Sequence, residues 1–171
     1  MSLAFIASSV VGAGGASAVT FSSIPQTYTD LIVIASTRAT STTATVSLDV
    51  NGASQNYYVQ KLTGNSSTYN ASRVANTTWT WNQSISTDTA STFGTTKITI
   101  CNYTGAQKKT FVFEHNAETF GTAADINLIG ATTGTFSSAI TSLTFNASSF
   151  VQYSAFYLYG ILKGSGGATA A

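Results

Sequence analysis

The chain has 171 residues and a net charge of +1, with only 8% charged residues against about 25% in an ordinary soluble domain. Ser and Thr supply about 30% of it, while Glu numbers two, Lys five and Pro one. That balance excludes helix bundles, coiled coils and collagen-like chains, because straight-chain helix formers are scarce and β-branched residues abundant. A content of 43% hydrophobic and 12% aromatic residues is enough to build a core, which excludes global disorder.

The elements follow in chain order. Residues 1–18 end in Ala16-Ser17-Ala18, a small-residue pattern of the kind found at cleavage sites, but no Lys or Arg precedes Arg38 and Gly12, Gly14 and Gly15 interrupt the apolar run. A secretion signal needs a positive start and an unbroken apolar centre, so the expectation is a first strand over Leu3–Val11 and a glycine turn. Leu31-Ile32-Val33-Ile34-Ala35 reads as a strand apolar on both faces. Val46, Leu48 and Val50 alternate with polar residues up to Asn51-Gly52, a hairpin signal. Thr63 to Thr78 is polar and is expected to be a long loop or excursion on one end of the sandwich. Trp79 and Trp81 stand two apart, hence on one face of an extended segment.

Further on, Ile98 and Ile100 alternate with polar neighbours, as do Phe111, Phe113 and His115, then Leu143 and Phe145. Lys108-Lys109 reads as a solvated strand start. Tyr153 to Leu162 is again apolar on both faces, with Tyr153, Ala155, Tyr157, Tyr159 and Ile161 opposing Phe156, Leu158 and Leu162. Turn signals at Gly64, Gly105 and Gly134 separate the runs. About nine or ten strands at this spacing predict an all-β fold, a single-domain antiparallel β-sandwich. The domain spans 1–163 with an N-terminal strand or arm over 1–15, and 164–171 is a Gly/Ala-rich tail.

Little chemistry is offered. No apolar stretch approaches the 18 or so residues that span a bilayer. The one pair of adjacent cations, Lys108-Lys109, is far short of the basic stripe that nucleic acid requires. A single Cys101 forms no intramolecular disulfide, and one His with one Cys cannot complete a four-ligand zinc site. His115 shares strand parity with Phe111 and Phe113, which makes it a core-facing or rim histidine rather than an exposed base, and no Gly-x-Ser-x-Gly elbow occurs. Glu114 and Glu118 would stand about 13 Å apart along a strand, too far for either glycosidase geometry. No catalytic, cofactor-binding or metal-binding residue is therefore expected.

Two strands without a polar face need a cover, either a loop of the same chain or a neighbouring subunit. Sparse Lys, Pro and inward charge at strand edges favours the neighbour, so a homo-oligomer is expected. The interface candidates are Leu3, Phe5, Ile6 and Val10 in the N-terminal arm and Tyr153, Phe156, Tyr157, Leu158 and Tyr159 in the last strand. An alternative use of the aromatics, stacking on sugar rings, would involve Tyr57, Trp79 and Trp81.

Several stretches occur together: Thr20-Phe21-Ser22-Ser23-Ile24-Pro25-Gln26-Thr27-Tyr28-Thr29-Asp30-Leu31, Asn51-Gly52 with Asn56-Tyr57-Tyr58, Ala90-Ser91-Thr92-Phe93-Gly94, Ala139-Ile140-Thr141-Ser142-Leu143, and Phe150 through Ile161. In this set, spanning residues 18–163, the chain resembles a family of small virion structural proteins of tailed bacteriophages, the cyanophage type. It departs at Phe136, where members often carry Trp. The resemblance implies no catalytic residues. It implies a jelly-roll-like sandwich that assembles as a homo-oligomer, a trimer, on the outer capsid surface. There it would act as a decoration (cement) protein on the major capsid protein. The alternatives are a tail or fibre component, or a carbohydrate-binding module, contacting host glycans.

Overall fold

A computed structural model describes residues 2–42, 44–65, 68–119 and 123–162. Its elements are β1 (Leu3–Val10), β2 (Ala16–Phe21), β3 (Asp30–Thr37), β4 (Thr45–Val50), β5 (Ala53–Ser54), β6 (Tyr57–Asn65), β7 (Thr68–Thr77), β8 (Thr80–Asn82), β9 (Gly94–Cys101), β10 (Thr110–Thr119), β11 (Ala123–Thr133), β12 (Leu143–Phe150) and β13 (Ala155–Ile161). These form two antiparallel sheets. The larger has eight strands in the order β1-β13-β3-β9-β10-β11-β6-β7; the smaller runs β2-β12-β4-β5 with β8 paired to β4. The chain is an all-β antiparallel sandwich, as the two-residue periodicity predicts.

The core lies between the sheets. Leu31, Val33, Ile98, Ile100, Phe111, Phe113, Phe156 and Leu158 from the larger sheet meet Val46, Leu48, Val50, Leu143 and Phe145 from the smaller one, all nearly solvent-free. Burying each such side chain contributes on the order of 1.5–3 kcal/mol relative to leaving it exposed. Trp79 and Trp81 fill the centre, with Trp79 edge-on to Tyr57, Phe111 and Phe113 and Trp81 against Phe113 and Phe145.

Two expectations need correction. The segment 63–78 is not a loop: its described part is the end of β6 and strand β7, antiparallel and paired from Tyr57↔Thr77 to Asn65↔Thr68. Its polar side chains reflect a position at the sheet edge, where β7 is exposed along most of its length. Lys109 is not solvated. It is fully buried, and its Nζ donates to the carbonyl oxygens of Asn102 (3.3 Å) and Gly105, so it holds the β9–β10 turn together from inside. Lys108, by contrast, lies 6.0 Å over the Tyr58 ring. The Gly/Ala-rich tail, 164–171, lies outside the described residues.

Candidate interaction surface

Because strand side chains alternate between faces, the pairing register states which residues share the outer face of the larger sheet. One row runs Tyr157, Ile34, Lys97, Glu114, Leu128, Leu62 across β13, β3, β9, β10, β11 and β6. The next runs Phe5, Tyr159, Ile32, Thr99, Val112, Gly130, Gln60, Arg73 from β1 to β7. Of the thirteen large hydrophobic residues exposed among the described ones, ten lie on this face: Leu3, Phe5, Val10, Ile34, Tyr58, Leu62, Tyr69, Val112, Leu128 and Tyr157. The clustering matters, since exposed hydrophobics scattered singly carry no message but a contiguous set marks an interaction site.

The two strands read as apolar on both faces are neighbours here, β13 beside β3. Their inner halves enter the core, and their outer halves form one patch with β1, where Phe5 meets the Tyr159 ring edge-on at 5.8 Å between centroids. Ile34 stays 38% and Tyr157 36% exposed, so no described loop seals them. A single ion pair crosses the middle of the face, Lys97 Nζ to Glu114 Oε2 at 3.1 Å, both side chains about half exposed. At this exposure it contributes little to folding, roughly 0–1 kcal/mol.

The interface candidates divide accordingly. Leu3, Phe5, Val10, Tyr153 and Tyr157 are exposed, and Ile6 and Tyr159 half-buried. Phe156 and Leu158 are corrected: both are fully buried beneath the chain's own second sheet, Phe156 against Phe145 and Phe150. Tyr153 stands in the β12–β13 turn, at a φ of 70°, away from the outer-face patch. The glycan-stacking set is corrected as well. Tyr57, Trp79 and Trp81 are 0%, 2% and 3% exposed, so none offers a ring to a sugar. Two-residue spacing shows that Trp79 and Trp81 share a face but not which face, and the core has claimed it.

The interior holds one arrangement that resembles chemistry. His115 Nδ1 and Thr96 Oγ1 share a hydrogen bond of 3.0 Å, the contact a base makes with a hydroxyl nucleophile. Both are buried, at 3% and 1% exposure, so no substrate reaches them. Burial pushes the imidazole pKa down to about 4, with the Lys61 charge acting the same way and a hydrogen bond from the ring to the Thr95 backbone opposing it. Nearby polar groups are buried too. Ser84 Oγ abuts Gly94, whose strand partner is Thr37, and Arg38, bridged to Ser84, donates to the carbonyl oxygens of Thr89 (3.0 Å), Thr92 (2.8 Å) and Asp88 (3.1 Å). This end of the sandwich is a loop clamp, which sequence reading missed because a lone Arg between strands carries no pattern.

Glu114 and Glu118 do not act together, since Glu114 pairs with Lys97 and Glu118 accepts from the Thr89 hydroxyl. Among the described residues no group of three or more His, Cys, Asp or Glu is placed to hold a metal ion.

Of the stretches that carry the family resemblance, Ala90–Gly94 belongs to the Arg38 clamp, while those around Gln26, Asn51, Ile140 and Ile161 meet at the other end. Asn51 Oδ1 accepts from the backbone N–H groups of Thr141 (2.8 Å) and Ser142 (3.2 Å), and its Nδ2 donates to the Ala139 carbonyl at 2.8 Å. Gln26 Nε2 donates to the carbonyls of Ile24 and Ile140, Thr29 N–H donates to Ile161 at 3.0 Å, and the Tyr103 hydroxyl donates to Pro25. Phe136 packs against the core from the same loop. These residues tie loops together rather than line a cleft. Comparison with family models, with curated proteins and with solved structures finds no match in any of the three.

Proposed function

We propose that this chain is a non-enzymatic structural protein of a tailed-phage particle, a decoration (cement) protein that self-associates and binds the major capsid protein lattice from outside. The observation that carries the reading is the outer face of the eight-stranded sheet: rich in exposed hydrophobic residues, crossed at its middle by the Lys97–Glu114 pair, and left open by the fold. A face of this composition gains from burial against protein, and its contacts depend little on salt, because exposed ion pairs contribute little to begin with. The convergence of the family-like stretches on loop-tying hydrogen bonds supports a scaffold role for them. Selective binding to the assembled lattice stabilises that lattice by mass action, as any ligand specific for one state does.

The test is co-sedimentation of the purified chain with empty capsids, against capsids alone and the chain alone. The expected result is saturable pelleting that survives 0.5 M salt, about a threefold rise over physiological strength. A chain that stays in the supernatant at micromolar capsid protein overturns the reading. The glycan-contact reading has lost its aromatic residues to the core.

A further inference from the structure

We propose that the outer face of the larger sheet docks a second copy of this chain about a two-fold axis that runs along the strands between β9 and β10. The proposal rests on the self-associating role above and adds its surface and symmetry. The argument is the order of residues across the face. Reading outward from the midpoint of the Lys97–Glu114 pair, one side shows Lys97, Ile34, Tyr157 and the other Glu114, Leu128, Leu62. The sequence of types is the same on both sides, except that the central charges are opposite.

A two-fold axis between them therefore seats Lys97 over Glu114 of the second copy and Glu114 over its Lys97. Ile34 falls on Leu128, and Tyr157 on Leu62. In the adjacent row Gly130 is exposed with open space above it, and the same axis brings Ile32 of the second copy there, while Thr99 falls on Val112, Tyr159 on Gln60 and Phe5 on Arg73. Strands of the two copies run in register about the axis, within the angle of about 30° at which sheets pack face to face. A two-fold interface must be self-complementary, and like charges at its centre would oppose it; this face has one of each sign.

The axis differs from the three-fold that the resemblance implies, so it yields dimers, or hexamers if both operate, and never an isolated trimer. The experiment is sedimentation velocity of the full chain at 1–100 μM, wild type and variants, with melting curves to confirm folding. Lys97→Glu and Glu114→Lys each place like charges across the axis and are expected to weaken association about tenfold or more. Mixed in equal amounts, the two variants complement one another across the interface, and association returns to near wild-type strength. An effect confined to the intramolecular pair would not be rescued by mixing. The second measurement is carbodiimide coupling of the mixed variants, in which one chain carries two acids and the other two lysines at 97 and 114, so that a link between these positions is intermolecular and is expected to give a covalent dimer.

A monomeric or trimeric wild type, single variants that associate like wild type, or a mixture that stays apart each overturns the proposal. A dimer that fails to pellet with capsids retains this interface and removes the particle role. A monomer that pellets does the reverse.

Discussion

The ring of Tyr28 occupies the space over Gly160 where any side chain at that position would have to sit. Tyr28 belongs to the segment leading into β3 and Gly160 to the last strand, so this contact closes the sandwich end where Thr29 also bonds to Ile161. Gly160 pairs with Ala4 on one side and Leu31 on the other, in the middle of a continuous ladder. A glycine in a strand interior is otherwise unfavourable, and here the close ring explains it.

Gly160→Ala is therefore expected to cost about 1–3 kcal/mol through overpacking, read as a lower denaturation midpoint. Tyr28→Ala removes the obstacle, so the double variant should lose less than the sum of the singles. Strict additivity in the double-mutant cycle would show that the contact does not operate.

Asn51 combines a φ of 52° with four hydrogen bonds between its side chain and the 139–142 segment, one donated and three accepted. Asn51→Ala loses those bonds and keeps a left-handed backbone that costs a non-glycine residue about 1–2 kcal/mol, so a loss of roughly 2–3 kcal/mol is expected. Asn51→Gly loses the same bonds but relieves the backbone, and should be the milder of the two in chemical denaturation.

His115 predicts a dependence on acidity. Its folded pKa is held at about 4, below the unfolded value of 6.5, so the unfolded chain binds the proton first. The stability that follows from keeping it neutral is fully present above pH 6.5 and declines as the pH falls towards 4. Of a total of about 3 kcal/mol, about 2 kcal/mol is lost between pH 6.5 and 5. His115→Phe should flatten that interval in urea titrations. An unchanged slope would assign it to other groups.

Trp79 and Trp81 predict an optical result. Both indoles are enclosed by aromatic rings, so tryptophan emission should be blue-shifted and poorly quenched by iodide. Adding oligosaccharides at millimolar concentration should leave it unchanged. Quenching close to that of free tryptophan would place the rings at the surface after all.

Composition and alternation were sufficient for the fold class, because a chain poor in helix formers with period-two hydrophobicity has few ways to bury itself other than paired sheets. They also identified β3 and β13 as two-faced, and by its parity with Phe113 they narrowed His115 to the core or its rim, of which the structure shows the core. What they could not decide was adjacency. That β13 lies beside β3, so that Tyr157 and Ile34 join into one surface rather than two, depends on which distant strands pair. The same long-range choice set Phe156 and Leu158 under the second sheet and left Phe5 outside. It also enclosed Trp79 and Trp81 and buried Lys109 in a turn. Local pattern fixes the two sides of a strand, but only the tertiary packing selects which side meets the core, since the period of two is identical for both.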